Sequence, residues 1–294
     1  MKVAAAKYAI QAPPSFEVFA GRQRQLLEEV AARGAEVAVL PEYLSLELAS
    51  TFPADVAGDL HASLVAIQRY REHWSTLFSD IARATGMIIA AGSFLLDIGK
   101  GRYRNRADLF LPGGGHAWQD KLQLTGFEKA TGSIDGGDAL KVFDADGARL
   151  GLSVCYDIEF PLPVRAQYEA GARVLLVPSC TDTTAGATRV RVGCLARALE
   201  NRCFVAQAVT AGEAPWNPAL DVNTGEAAIH APMDAGFPSD GVLASTRGDV
   251  QWAIADVDLA ALEASRGQAQ VANDRDWRGQ SLPALTAARV EKPT

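Results

Sequence analysis

The chain is poor in the residues that build disulfide or metal frameworks. Among its 294 residues are four cysteines and four histidines. The cysteines stand at 155, 180, 194 and 203 with no C-x-x-C pair, so no disulfide scaffold is expected in a chain this long. The histidines at 61, 73, 116 and 230 are scattered and share no ligand spacing with the cysteines, so neither a metal nor another cofactor is expected. No run of 18 apolar residues occurs, so no membrane span is expected. Lys7 interrupts any leader-like apolar core in Met1-Lys2-Val3-Ala4-Ala5-Ala6-Lys7, and the cytoplasm is the expected location. There is no block of five like charges and no basic stripe interleaved with aromatics. With a net charge of −7, nucleic acid and anionic membrane surfaces are poor partners. The glycine run Pro112-Gly113-Gly114-Gly115 lacks Gly-Lys-Ser/Thr and a following helix, so it reads as a turn, not a phosphate loop.

What remains is an ordinary globular composition, 48% apolar and 21% charged, ample for a large core. Strand-like and helix-like stretches alternate. Residues 3–10, 36–40, 87–94, 149–154, 173–177 and 203–209 read as strands. Phe19, Leu26, Leu27 and Val30 share a helical face that Gly34 closes. Leu60, Leu64, Ile67, Trp74, Leu77, Phe78 and Ile81 trace one amphipathic helix of several turns, ended by Gly86. Residues 108–111 and 116–119 form a hairpin around the glycine run, and 140–143 and 149–154 flank a turn at Asp144-Ala145-Asp146-Gly147. Helices are expected near 160–170 and 188–201. Short strands follow near 227–230, 242–245 and 251–257. The tail, 258–294, reads as a short helix and irregular chain. No linker divides the sequence, so 1–294 is read as one domain of mixed α/β type. One echo stands out: Gly34-Ala35-Glu36-Val37-Ala38-Val39-Leu40-Pro41 is similar to Gly171-Ala172-Arg173-Val174-Leu175-Leu176-Val177-Pro178. It reads either as a common helix–strand joint or as two related halves that each present a strand end at one site.

Three stretches carry chemistry. In Gly151-Leu152-Ser153-Val154-Cys155-Tyr156-Asp157 a strand runs into a cysteine and a helix follows. A thiol at such a turn is presented beside free backbone N–H groups, as a nucleophile requires; taken alone, a lone cysteine reads better as a small buried core thiol. In Glu36-Val37-Ala38-Val39-Leu40-Pro41-Glu42-Tyr43, Pro41 stops a strand and puts Glu42 at its end. In Gln119-Asp120-Lys121-Leu122-Gln123-Leu124-Thr125-Gly126-Phe127-Glu128, Lys121 follows a short strand and an acid follows it.

In the order Glu42, Lys121, Cys155 these stretches resemble the nitrilase superfamily of carbon–nitrogen hydrolases. Asn105, expected just before a strand, and Arg197-Ala198-Leu199-Glu200-Asn201 add to the likeness, which spans residues 3–257. Thr125-Gly126 stands where many relatives have a proline. The resemblance implies a four-layer α-β-β-α sandwich, and homodimers or larger homo-oligomers, for which the 258–294 tail is available. It also implies a thioester route for C–N cleavage. Cys155 is the nucleophile and Glu42 the general base. Lys121 and the Tyr156 N–H hold the oxyanion. Glu128 supports Lys121 or the substrate, and a cationic Lys121 favours the Cys155 thiolate. Tyr156-Asp157 is similar to the amidase-like branches rather than to true nitrilases; Asp157 reads equally as an N-cap for the next helix. Tyr43, Ser179, Cys180 and Arg189 are candidate substrate-binding residues. Arg189 is either a carboxylate anchor or a solvated helix residue. The expected partner is a small linear amide, cleaved with release of ammonia. N-carbamoyl hydrolysis, nitrile hydrolysis and acyl transfer are the alternatives within the superfamily, and a silent binding protein is the one outside it.

Overall fold

The computed structural model describes residues 1–145, 147–248 and 250–291. Its strands in chain order are β1 (Lys2–Ala9), β2 (Val37–Val39), β3 (Ile88–Gly99), β4 (Arg102–Phe110), β5 (His116–Asp120), β6 (Ile134–Asp135) and β7 (Val142–Ala145). They continue with β8 (Ala148–Leu152), β9 (Val174–Ser179), β10 (Phe204–Glu213), β11 (Val222–Asn223), β12 (Ala228–His230), β13 (Val242–Ser245) and β14 (Trp252–Asp256). The helices are α1 (Phe16–Ala32), α2 (Ala54–Ala57), α3 (Leu60–Ile67), α4 (Arg71–Thr85) and α5 (Gly126–Ala130). After these come α6 (Pro161–Glu169), α7 (Thr184–Asn201), α8 (Leu259–Ala264) and α9 (Asn273–Asp276).

Two sheets face each other. One has the order β5-β4-β3-β2-β1-β14, the other β7-β8-β9-β10-β12-β13. They join where β1 and β10 run parallel for three residue pairs, Lys7 with Val209, Tyr8 with Thr210 and Ala9 with Ala211. The two-residue period of a strand explains the layering. Val3, Ala5, Val37, Val39, Ile88 and Ala90 face the second sheet in one core. Their neighbours Ala4, Ala6, Ala38, Leu40, Ile89 and Ala91 face outward, against Phe19 and Leu27 of α1 and Trp74 and Phe78 of α4. Val190, Cys194 and Ala198 of α7 pack on β9 and β10 from the opposite side. The architecture is the expected four-layer α-β-β-α sandwich.

Several boundaries differ from the sequence reading. The helix expected across residues 60–81 is broken into α3 and α4 by a 3₁₀ turn, Gln68–Tyr70. The Gln68 side chain donates to the carbonyls of Leu64 and Leu95 and accepts from the Asp97 N–H, tying that turn to β3. The 108–111 strand begins six residues earlier as β4, so Asn105 lies inside a strand rather than before one. Helix α7 starts at Thr184, not 188, because the Thr183 hydroxyl accepts from the Gly186 N–H and caps it there. Cys203 is buried just ahead of β10. Of the turn at 144–147, Asp144 and Ala145 pair with Arg149 and Ala148, and Asp146 lies outside the described residues. The tail is not free. Tyr168 of α6 donates to Asp274, and Arg165 stacks over Trp277, so α6 carries the tail on its outer face.

One glycine is fixed by both conformation and space. Gly92 has φ +73°, and a Cβ there would lie 2.2 Å from the Pro41 carbonyl oxygen. Gly92→Ala is expected to lose about 1–2 kcal/mol from the left-handed backbone alone, and more from the overlap. The denaturant midpoint measures it; an unchanged midpoint would show that β3 does not press on Pro41.

Candidate active site

Four chain segments end at one cavity of about 300 Å³, and the strands β2, β5, β8 and β9 deliver them. Strand β2 is apolar throughout because both its faces are buried, and it stops before Pro41. Glu42 follows. Tyr43 then turns the chain with φ +61°, its N–H held 2.9 Å from Ser93 Oγ. The end of β5 is pinned through Asp120, which accepts two bonds from Arg106, of 2.7 and 3.0 Å. Lys121 comes next. Strand β8 ends at Leu152, and Cys155 opens a 3₁₀ turn, Cys155–Glu159, with φ +49°. A non-glycine residue in that region is strained, and such strain clusters at functional sites. Helix α7 holds the turn. Arg197 donates to the Ile158 carbonyl at 3.0 Å, and Gly193 lets α7 approach so closely that a Cβ would sit 3.0 Å from that oxygen.

Glu42, Lys121 and Cys155, distant in sequence, meet. Lys121 Nζ donates to Glu42 Oε1 and to Glu128 Oε2, both at 2.8 Å. The Cys155 thiol donates to the Cys180 carbonyl oxygen at 3.5 Å and lies near enough to Glu42 for that carboxylate to raise its pKa. All four side chains are almost wholly buried.

The two glutamates have opposite surroundings. Glu128 accepts from the Tyr43 hydroxyl, Asn105 Nδ2, the Thr125 N–H and hydroxyl, and Lys121. Burial raises its pKa, but Lys121 and these donors outweigh burial and hold it below the ordinary value. It is a fixed anion. Glu42 accepts from Asn105 and Lys121, both on Oε1. Burial dominates there and raises its pKa, with Lys121 opposing. Their surroundings thus push the two carboxylates apart, one below and one above its ordinary range. Burial would lower Lys121, but its two carboxylate partners drive it far up, so it stays an ammonium. Burial and the Glu42 charge raise the Cys155 thiol well above its ordinary range, against Lys121. The expected thiolate-favouring effect of Lys121 is therefore present but outweighed.

The remaining sequence candidates separate. Tyr43, Tyr156, Cys180 and Arg189 line the cavity. Arg189 is 61% exposed and faces Glu159 at 3.6 Å. Ser179 does not line it, because its hydroxyl is turned away onto the Ala208 carbonyl at 2.5 Å. Asp157 does not cap α6, whose N-cap is Phe160. Its carboxylate instead accepts from the N–H groups of Leu122, Gln123 and Val154. Thr210 was not legible: its hydroxyl donates to the Glu42 carbonyl at 3.0 Å. Glu128 did carry a local signal, since Thr125-Gly126-Phe127-Glu128 forms a capping box. Among the described residues no group of three His, Cys, Asp or Glu is arranged to hold a metal ion, and no helix is long and apolar enough to cross a membrane.

The family model for carbon-nitrogen hydrolases matches residues 2–266. The chain belongs to that family. Probable hydrolase YhcX of Bacillus subtilis (strain 168) is 30% identical over 282 residues, 95% of this chain and 54% of that protein. The chain thus spans about half that relative's length. Omega-amidase NIT2-A of Xenopus laevis is 24% identical over 262 residues, 86% of this chain and 88% of its own. The crystal structure of a carbon-nitrogen hydrolase from Helicobacter pylori G27 superposes with a TM-score of 0.76 at 17% identity, covering 98% of each chain; that likeness shows the fold.

Removing one partner of a buried ion pair leaves an uncompensated charge and costs about 3–5 kcal/mol. Glu128→Ala is expected to lose at least the lower figure in chemical denaturation at neutral pH. Glu128→Gln, which keeps an acceptor for Lys121, is expected to lose less. Equal midpoints for both variants and wild type would contradict the buried pair.

Proposed function

We propose that the protein is a thiol amidohydrolase that cleaves a small linear amide through a Cys155 thioester, releasing ammonia and a carboxylic acid. The observation that carries this reading is the placement of Glu42. One of its oxygens is saturated by Asn105 and Lys121, which leaves the other for the Cys155 thiol. Because the resting thiol is protonated, attack on the amide carbon needs a base at that position. Glu42 accepts the thiol proton and passes it to the departing nitrogen. It then takes a proton from water as that water attacks the thioester. Lys121 has three N–H groups and commits two to carboxylates. The third, with the Tyr156 N–H at the start of the 3₁₀ turn, faces the oxygen that gains charge in both additions. One such donor is worth roughly 3 kcal/mol in acyl-transfer sites. Relatives named omega-amidase support an amide over a nitrile.

Arg189 is the proposed anchor for a carboxylate on the substrate. Its pairing with Glu159 is long and exposed, worth about 0–1 kcal/mol, so a bidentate substrate carboxylate displaces it readily.

Five outcomes test the reading. Incubation with a panel of linear amides is expected to release ammonia and to give a mass-trapped acyl adduct on Cys155, absent in Cys155→Ala; a folded Cys155→Ala protein with full turnover would sink it. Cys180→Ala is expected to keep part of the activity. Because burial raises Glu42, the acid limb of kcat/KM is expected above the ordinary glutamate value of 4.5, with activity rising as Glu42 ionises. Glu42→Gln should accumulate almost no acyl-enzyme at any pH. For Arg189, the preference for a carboxylate-bearing amide over its methyl ester is expected to shrink in Arg189→Ala; an unchanged preference in kcat/KM removes the anchor.

A further inference from the structure

We propose that Asp157 is the positioning residue that locks the lysine turn to the nucleophile turn, so that Lys121 and Cys155 address the same substrate atom. The inference rests on the thioester reading above and assigns a role to a residue outside the reacting set. Asp157 is 2% exposed. Its carboxylate accepts from the Leu122 N–H at 3.1 Å to both oxygens, from the Gln123 N–H at 2.7 Å and from the Val154 N–H at 3.3 Å. These donors flank the chemistry: Leu122 follows Lys121, and Val154 precedes Cys155. One carboxylate therefore bonds to the backbone beside the oxyanion-holding ammonium and beside the thiol, which are 34 residues apart in sequence.

A carboxylate suits this task better than any neutral group. It is acceptor-only when ionised, and every donor that meets it here is a backbone N–H. An asparagine turns an NH₂ toward some of those donors and leaves buried N–H groups unpaired. The charged groups on the packed elements do not take over. Lys121 is committed to Glu42 and Glu128, Arg197 of α7 to Glu200 and the Ile158 carbonyl, and Arg165 of α6 to Glu169. On its own turn, Cys155 faces Glu42, and Glu159 faces Arg189. With no ion-pair partner among the described residues, burial pushes the Asp157 carboxyl up to about 6, the backbone donors and the Lys121 charge opposing. The donors recover only part of that burial cost, so the carboxylate supplies a fixed geometry rather than net stability.

The experiment reads Cys155 acylation in a single turnover, together with alkylation of Cys155 by iodoacetamide, which needs no substrate assignment. Asp157→Asn is expected to slow acylation by about 100-fold, the scale of a 1 Å misplacement, with KM little changed. Asp157→Glu, which retains the carboxylate, is expected to recover part of the rate. A wild-type acylation rate in a folded Asp157→Asn protein overturns the proposal. So does a loss that merely tracks the folded fraction with no recovery in Asp157→Glu. Should neither variant fold, amide exchange on the wild-type protein decides. The Leu122 and Gln123 N–H groups are expected to be protected at pH 7, where the carboxylate accepts from them; exchange of both at the intrinsic rate overturns the lock. Failure of every amide substrate with alkylation and exchange behaving as stated would instead indict the thioester reading.

Discussion

The buried ammonium of Lys121, held at 2.8 Å by Glu42 and by Glu128, is the interaction around which this site is arranged. An ion this deep is tolerated only with partners on it. Those partners bring their own supports. Glu128 carries Tyr43 and Thr125, and Asn105 bridges the two glutamates from inside β4. The cluster ties β2, β4, the β5 turn and the start of α5 into one body before the thiol is considered. Its chemical result is an asymmetry. The carboxylate with five donors is an inert anion, and the one with an oxygen to spare has its pKa raised. The residue types alone, two glutamates and a lysine, do not make that distinction; the count of hydrogen-bond donors does.

The cavity's chemistry and its walls come from different physical sources. The reacting groups sit at strand ends, on backbone whose position is set by ladders and by the Gly92–Pro41 approach. The outer wall comes from α7 and the segment near Pro218–Val222, where Arg189, Asp182 and Asp221 are exposed. Strand ends thus carry the buried polar groups and exposed side chains form the outer wall, a division common where one scaffold serves many substrates.

Much of this was readable from the chain. Glu42 was placed because a proline cannot continue a ladder, and Cys155 because a β-type run meets a helical pattern there. Alternation gave the strands on β1, β2, β9 and β10, where burial and period agree. Three of the misreadings share one cause, a long-range side-chain bond that no local pattern encodes. Gln68 reaches β3 and breaks a helix that periodicity made continuous. Asp157 looked like a cap because its neighbours suit one, yet its partners lie 34 and 35 residues upstream. The Ser179 hydroxyl is taken by a carbonyl on the adjacent strand, which decides the face it points to. Thr210 had no sequence signal at all.

That same Thr210 sits in the short parallel seam between the sheets, paired with Tyr8, and its hydroxyl reaches Glu42 across 168 residues of chain. Glu42 and Lys121 belong to the first sheet and Cys155 to the second, so the thiol acquires its base only when the seam closes. Contacts of such sequence separation form late in folding. Before that step Cys155 is an ordinary thiol, and joining the sheets is what buries it against the Glu42–Lys121 pair and raises its pKa.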